Sequence, residues 1–384
     1  MREPIEDRNL VDTQALISPR ELKAAIPAST AAEETVVEAR RRIRDVIHGR
    51  DTDRLVVVVG PCSIHDPEAA VEYARRLRGV SKKTEDALVV VMRAYFEKPR
   101  TSVGWKGLIN DPRFDGSCDV AHGLEIARKL LLEINELGVP CGTEVLDPFT
   151  PQFIADLLCW GAIGARTTES QIHRQLASGL SMPVGFKNGT DGGLDGAANA
   201  MVAASHQHTF LGITADGESA LVRTRGNPDR HIVLRGGAAG PNFASEFVGE
   251  AARRVAGQDL ARTVMVDCSH ANSGKDHSRQ GFVCREVLDQ VRLGNPAIMG
   301  LLIESNLESG RQVWQPGSPL KRGVSITDAC VGWEETEKML HEIAETVRFG
   351  RSPSQLGTAG SSTGNFGSET LGPIRTQPAA TRGR

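Results

Sequence analysis

The chain has 384 residues, 40% of them hydrophobic, which is enough apolar material for one large core. Its formal net charge of −3 argues against a bulk nucleic-acid binder or a membrane-surface binder. The N-terminus lacks the apolar core of a signal peptide, no apolar run is long enough to span a membrane, and the seven cysteines show no paired spacing. A reducing, cytoplasmic location is therefore expected.

Residues 1–50 form a mixed polar extension in which two helices are predicted. Ser18, Pro19 and Glu21 are typical of a capped helix start, with Ser at the N-cap, Pro at the first helical position and Glu at the third. A second helix is predicted to begin near Thr30, with Glu33 three residues on. The apolar residues predicted to share one face of that helix are Val36, Val37, Ile43, Val46 and Ile47.

Residues 51–350 alternate short β-branched apolar runs with amphipathic stretches, which is typical of parallel strands joined by helices. The segment at about 208–225 carries a turn signal at Asp216 and Gly217 and is predicted to be an inserted β-hairpin. The other strands predict an α/β fold, a (β/α)8 TIM barrel, over an open doubly wound sheet, because no Gly-rich dinucleotide loop follows the first strand. The nine candidate runs are 55–60, 88–93, 139–145, 161–166, 183–188, 208–214, 231–236, 263–270 and 297–305.

The last segment, residues 351–384, differs in composition from the rest of the chain. It is rich in Gly, Ser, Thr and Pro and has almost no apolar residues. Such a segment buries too little surface to offset its ordering entropy, so a disordered tail is predicted.

Ionisable or metal-ligating side chains stand where the predicted barrel strands end. The active site of a parallel barrel lies at the carboxyl ends of its strands, so these side chains are expected to converge. In chain order they are Cys62, Arg93, Glu144, Arg166, Lys187, Arg235, His270 and Glu304, followed by Asp328 in the next loop.

Four of these residues are suited to one divalent metal ion. Cys62 offers a soft sulfur, and His270, Glu304 and Asp328 offer harder ligands, a set that fits Mn, Fe, Co or Zn. Taken singly, each is more simply explained as structural, for example as a buried small cysteine. The first and last strands of a closed barrel adjoin, so all four are expected on one side of it, which favours the metal site.

A second set consists of cations, several of which directly follow apolar runs. Each alone would be a solvated surface charge, but burying them together is unfavourable unless anions occupy the site. Arg makes bidentate contacts to phosphate and carboxylate, so a metal-assisted reaction of phosphorylated small molecules is predicted. The set is Arg93, Lys98, Arg100, Arg166, Lys187 and Arg235.

Long contiguous blocks carry a more specific signal. They are GPCSIHDP (60–67), MRAYFEKPRTSVGWKGLINDP (92–112), CWGAIGARTTESQIHR (159–174), PVGFKNGTDG (183–192), HIVLRGG (231–237), DCSHANSGKD (267–276) and SITDACVGWE (325–334). In them the chain resembles the class I 3-deoxy-D-arabino-heptulosonate 7-phosphate (DAHP) synthases, and most of all the tyrosine-sensitive type, over about residues 5–350. The resemblance implies condensation of phosphoenolpyruvate with erythrose 4-phosphate and water to give DAHP and phosphate, the first step of the shikimate pathway. It also implies one divalent metal ion per subunit and a homo-oligomer, either a dimer or a tetramer.

The resemblance implies a role for individual residues. The metal-ligand positions are Cys62, His270, Glu304 and Asp328, and the catalytic positions are Lys98, His270 and Asp328. The phosphoenolpyruvate positions are Arg93, Lys98, Glu144, Ala165, Arg166, Lys187 and Arg235. The erythrose 4-phosphate loop is Lys98, Pro99, Arg100 and Thr101. The group that moves the proton is either Lys98 or a metal-bound water near His270, and the sequence does not decide between them.

The resemblance also implies regulation. In the family the N-terminal arm, here residues 1–50, packs on a neighbouring subunit, and an aromatic amino acid binds beside the barrel near the hairpin. The segment LDPFTPQ and Gly212 favour tyrosine over phenylalanine as the effector, although plain helix and hairpin packing explains each residue equally well. The corresponding positions are Asp7, Pro148, Gln152, Ser181, Phe210 and Gly212.

Two other interpretations stay open. The related octulosonate 8-phosphate synthases condense phosphoenolpyruvate with a pentose phosphate, but the long block from Lys98 and the N-terminal arm favour the four-carbon sugar. A catalytically weak paralogue acting as a binding or regulatory partner is the alternative from another class. The intact ligand and cation positions count against it.

Overall fold

Eight parallel strands close into a barrel in the computed structural model, which describes residues 5–100, 103–315 and 319–350. The tail at 351–384 lies outside the described residues. The strands are β1 (Leu55–Gly60), β2 (Leu88–Arg93), β3 (Cys141–Glu144), β4 (Trp160–Ile163), β5 (Val184–Lys187), β6 (Thr209–Ile213), β7 (Ser219–Arg223), β8 (Arg230–Leu234), β9 (Val264–Asp267) and β10 (Ile298–Glu304). The barrel order is β1-β10-β9-β8-β5-β4-β3-β2, with β1 pairing both β10 and β2, so the barrel predicted from the sequence is confirmed.

Helices follow most of the barrel strands and surround the sheet. They are α1 (Pro19–Ala25), α2 (Thr30–Ile47), α3 (Pro67–Thr84), α4 (Val120–Glu136), α5 (Thr150–Ile154), α6 (Gln171–Ala177), α7 (Asp195–Ser205), α8 (Ser245–Arg254), α9 (Gln280–Arg292) and α10 (Trp333–Gly350). Within the described ranges no helix combines the length and the apolar character needed to cross a membrane.

The inserted hairpin is confirmed as the antiparallel pair β6–β7, which does not belong to the barrel. Its tip contacts the start of α1: the backbone N–H of Arg20 donates to the Ala215 carbonyl oxygen at 2.8 Å, and Arg20 Nε lies 2.6 Å from Asp216 Oδ1. Its other end contacts α6, where the hydroxyl oxygens of Ser178 and Thr224 lie 2.6 Å apart. Hydrogen bonds and an ion pair therefore join the N-terminal extension to the hairpin of the same subunit.

Both predicted N-terminal helices are present. The capping box of α1 is formed, with Ser18 and Glu21 each hydrogen-bonded to the backbone of the other. Helix α2 begins at Thr30, and its buried side chains belong to one apolar cluster with residues of six barrel strands, so α2 covers the N-terminal end of the barrel. One detail was wrong: Val37 is 63% exposed, since it lies just outside the stripe formed by Val36 and Ile43.

Near the N-terminal end of the barrel interior, the His231 imidazole is completely buried. Trp160 Nε1 donates a hydrogen bond to His231 Nε2 at 2.9 Å, so the neutral ring carries its proton on Nδ1. A Cβ on Gly185 would lie 2.6 Å from the ring, and only glycine leaves room for it. Burial lowers the pKa of His231 to about 4.

This buried histidine is expected to make the fold acid-sensitive. Its folded-state pKa lies below the unfolded value of 6.5, so the neutral ring contributes stability that is present above pH 6.5 and is lost as the pH falls towards 4. At about 1.4 kcal/mol per pKa unit, the wild type should lose about 2–3 kcal/mol of unfolding free energy between pH 7 and pH 4.5 that His231→Gln retains. Urea titrations of both proteins at the two pH values measure this difference, and equal losses would contradict it.

Candidate active site

Three candidate metal ligands meet where the barrel closes. One ligand atom from each of Cys62, Glu304 and Asp328 lies within 4.8 Å of the other two. Cys62 follows β1 and Glu304 ends β10, and these two strands are hydrogen-bonded neighbours. Both side chains are fully buried, whereas the Asp328 side chain is 54% exposed. A soft thiol beside two carboxylates fits a divalent transition metal better than Mg or Ca.

His270 lies at the edge of this cluster. Its Nε2 is 3.8 Å from Glu304 Oε1, and its Nδ1 is 2.8 Å from Asp267 Oδ2. Asp267 ends β9 and is fully buried; burial raises the pKa of its carboxyl group, but the contact with the His270 ring and the charges of Lys187 and Arg93 outweigh burial and hold that pKa well below its usual range. A carboxylate on Nδ1 orients an imidazole so that Nε2 faces a metal site.

Sequence reasoning missed Asp267 although a signal was present. Asp267 is the last residue of β9, and an acidic residue at a strand end fits the pattern. The prediction named His270, three positions later, as the functional residue of this strand end. His270 itself has a backbone φ of +53°, the left-handed region that side chains rarely adopt. The backbone of the turn after β9 is therefore strained at the residue that carries the ring.

Lys98 connects the loop after β2 to the cluster. Its Nζ donates to Cys62 Sγ at 2.8 Å and lies 3.3 Å from Asp328 Oδ2. Burial lowers the pKa of Lys98, but the neighbouring Cys62, Glu304 and Asp328 outweigh burial and raise that pKa, so the amine is an ammonium at neutral pH. Burial also raises the pKa of the Cys62 thiol to about 12.

Two further cations are buried beside the cluster, each with a carboxylate. Arg93 Nη2 lies 2.9 Å from Glu304 Oε1, and Lys187 Nζ lies 2.8 Å from Glu144 Oε2. Burial raises the pKa of Glu144, but the Lys187 charge outweighs it and the pKa is lowered. These pairs correct one step of the sequence reasoning: Arg93, Lys98 and Lys187 do not need bound anions to be buried, because carboxylates of the same chain already neutralise them.

The other predicted substrate residues lie around the same end of the barrel. Ala165 and the exposed Arg166 occupy the turn after β4, and Arg235 is half-buried immediately after β8, where its backbone N–H donates to Asn188 Oδ1 at 2.8 Å. Pro99 and Arg100 continue the loop from Lys98, and Arg100 Nε donates to the Trp105 carbonyl oxygen at 2.8 Å. Thr101 lies outside the described residues.

The predicted effector residues are spread over α5 and the loop before it, the loop before β5, the hairpin and the arm before α1. Pro148 lies just before α5 and Gln152 within it, Ser181 precedes β5, and Phe210 and Gly212 are on β6. Helix α1 packs against α5. Asp7 lies in the arm before α1, with a positive φ of 58°.

A closed parallel barrel whose strand ends gather thiol, imidazole, carboxylate and cationic groups is the architecture of a (β/α)8 enzyme. The profile of the DAHP synthetase I family matches residues 25–341. The chain therefore belongs to the DAHP synthetase I family.

Individual relatives support this membership. The chain is 54% identical over 347 residues to the Tyr-sensitive phospho-2-dehydro-3-deoxyheptonate aldolase of Escherichia coli, covering 90% of this chain and 97% of the relative. It is 51% identical to the Phe-sensitive enzyme of the same organism over 90% of this chain and 98% of the relative. A solved structure of the aldolase from Francisella tularensis matches with a TM-score of 0.87 and 47% identity, covering 90% of this chain and all of that one.

Proposed function

We propose that the chain condenses phosphoenolpyruvate with erythrose 4-phosphate and water to form DAHP and inorganic phosphate, the first step of the shikimate pathway. The observation that carries the proposal is the Cys62, Glu304 and Asp328 cluster beside the buried Arg93 and Lys187, in a chain of this family. C3 of phosphoenolpyruvate bonds to the aldehyde carbon, water adds at C2, and the C2–O bond to phosphate breaks.

Cys62, His270, Glu304 and Asp328 would hold one divalent metal ion, which when bound supplies Lewis-acid polarisation of the aldehyde oxygen. Lys98, which contacts two of these ligands, is the ammonium placed to donate a proton to the developing alkoxide. The donor set permits Mn, Fe, Co or Zn.

In the proposed complex, the buried cations orient the enolpyruvate substrate. Arg93 and Lys187 are held rigidly by Glu304 and Glu144, so little motion is needed when the substrate anion binds. Arg166 and Arg235, which are less buried, supply further positive charge at the ends of β4 and β8. Together the cations offset the repulsion between two anionic substrates and hold them in attack geometry.

An assay of phosphoenolpyruvate loss with erythrose 4-phosphate, with and without a chelator, tests the function directly. Turnover that is abolished by chelator and restored by a divalent metal is expected. Arabinose 5-phosphate in place of erythrose 4-phosphate distinguishes the octulosonate 8-phosphate reaction, and preferential use of this pentose phosphate would contradict the proposal. Binding of both substrates without turnover would instead support a weak paralogue.

Trp105 is expected to position Arg100 for the aldose phosphate. Its carbonyl oxygen accepts from Arg100 Nε, its indole Nε1 donates to the Asp111 carbonyl oxygen at 2.8 Å, and its ring stacks on Phe114 with centroids 5.0 Å apart. Trp105→Ala is expected to raise the KM for erythrose 4-phosphate about tenfold, or ~1.4 kcal/mol, and to leave the KM for phosphoenolpyruvate within about twofold.

The matched variant Trp105→Phe keeps a ring against Phe114 but loses the hydrogen bond to Asp111. It is expected to lie between the wild type and Trp105→Ala. Initial rates with each substrate varied in turn measure both constants, and equal rises in the two KM values would show a general loss of structure instead.

Feedback inhibition by an aromatic amino acid is part of the proposal. Its support is the chain's likeness to Tyr-sensitive and Phe-sensitive relatives and the contacts that tie the hairpin to α1 and α6. Initial rates with tyrosine, phenylalanine and tryptophan identify the effector. Tyrosine is expected to inhibit most strongly, and the absence of inhibition by all three would refute this part. A dimer or tetramer is expected, and light scattering of the same sample measures it.

A further inference from the structure

Tyr95 lies in the loop after β2, two residues beyond Arg93, and is 2% exposed. Its ring contacts two cations: Arg93 Cζ lies 3.9 Å from the ring centroid, and Lys187 Nζ lies 5.5 Å from it. Both distances are within the range of a cation–π interaction. Tyr95 is thus in contact with the two buried cations of the proposed phosphoenolpyruvate site, although neither the strand-end pattern nor the resemblance pointed to it.

The hydroxyl group of Tyr95 has no hydrogen-bond partner among the described residues, although its oxygen is inaccessible to solvent. Burial raises the pKa of this phenol, and the charges of Lys187 and Arg93 only partly oppose that effect. The group is therefore a protonated donor at neutral pH. The Nη1 of Arg93 is a second buried donor that has no hydrogen-bond partner among the described residues.

Buried donors are almost always satisfied, so two orphaned donors in contacting residues call for an acceptor from outside the chain. The acceptor that the contacts favour is an anionic oxygen, because the Arg93 guanidinium under the ring uses Nη2 on Glu304 and keeps Nη1 for a second acceptor, and the Lys187 ammonium also lies against the ring. A water molecule held permanently at Tyr95 is the competing explanation.

We propose that Tyr95 is an additional substrate-binding residue whose hydroxyl donates a hydrogen bond to an anionic oxygen of the enolpyruvate phosphate, and whose ring holds the Arg93 and Lys187 head groups in place. The assignment rests on the proposed function. The hydroxyl and the ring make separate contributions, so two substitutions can separate them.

Tyr95→Phe removes the hydroxyl and keeps the ring, and Tyr95→Leu removes both. A hydrogen bond to a charged acceptor contributes about 1.5–3 kcal/mol, so Tyr95→Phe is expected to weaken phosphoenolpyruvate binding about tenfold or more. Tyr95→Leu is expected to weaken it a further fewfold through the lost cation–π contact. The KM for erythrose 4-phosphate should stay within about twofold in Tyr95→Phe.

Isothermal titration of the metal-loaded protein with phosphoenolpyruvate alone measures binding without turnover. The matched control is Tyr73→Phe, because Tyr73 is the only other tyrosine of the chain and its buried hydroxyl donates within the protein, to Ser305 Oγ at 2.9 Å. This control should bind phosphoenolpyruvate like the wild type. Equal binding by the wild type and Tyr95→Phe would overturn the assignment and support the held water. A wild type that does not bind phosphoenolpyruvate would overturn the proposed function, and the assignment of Tyr95 with it.

Discussion

Cys62→Ala will remove the divalent metal and lower kcat by about a thousandfold or more, while the barrel stays folded. The reason is that Cys62 is the only sulfur ligand of the proposed set and is completely buried against Lys98 and Asp328. A thousandfold loss corresponds to about 4 kcal/mol of transition-state stabilisation, which is within what a Lewis acid supplies. Metal content after dialysis, measured by mass spectrometry, gives a readout that does not depend on activity.

Cys284→Ala is the matched control for this experiment. Cys284 is also completely buried, but it lies on α9, outside the cluster of candidate metal ligands. Its replacement is expected to cost about 1 kcal/mol of stability and to leave metal content and kcat unchanged. A Cys62→Ala protein that keeps stoichiometric metal and normal turnover after metal-free purification would refute the metal site. Circular dichroism of both variants verifies that the fold is intact.

Lys187→Met is expected to lose both activity and stability. The substitution leaves the buried Glu144 carboxylate without its ion-pair partner, so the pKa of Glu144 will rise and the free energy of unfolding will fall by about 3–5 kcal/mol. Phosphoenolpyruvate affinity is expected to fall by about two orders of magnitude or more, because a buried charge of the proposed phosphoenolpyruvate site is missing. Denaturant titration and calorimetric binding measure the two effects separately.

The double variant Lys187→Met with Glu144→Gln separates structure from function. Removing both charges takes away the uncompensated carboxylate, so most of the lost stability should return. Phosphoenolpyruvate binding should not return, because Lys187 is still absent. Recovery of binding in the double variant would show that Lys187 serves only to neutralise Glu144.

The architecture was predictable because most of its strands are continuous apolar runs that stand out clearly in the sequence. Runs such as 55–60 and 88–93 are rich in the β-branched residue valine and are buried along their whole length, as expected for strands covered on both faces. The hairpin was recognisable from Asp216 and Gly217 at its turn. The error at Val37 shows the limit of periodicity, since one residue at the border of a helix face lies in or out according to the surface that the helix meets.

The candidate site was predictable in its members but not in its pairings. The rule that parallel strands end at one face brought Cys62 and Glu304 together, and the structure places them in one cluster. Which carboxylate neutralises which cation depends on the lateral order of the strands and on side-chain rotamers, and the sequence states neither. Tyr95 escaped notice for a related reason, because a tyrosine after an apolar strand resembles ordinary core until its unpaired hydroxyl is seen.

The closure of the barrel also limits how early the chain can complete its fold during synthesis. Cys62 and Asp328, whose side chains meet, are 266 residues apart in sequence, and β1 gains its second neighbour only when β10 is available. At typical translation rates of about 5–20 residues per second, the edge of β1 stays open and the Cys62 thiol lacks its contact with Asp328 for tens of seconds. During that interval the nascent chain presents an unpaired strand edge to other chains, and the cluster of Cys62, Glu304 and Asp328 is incomplete.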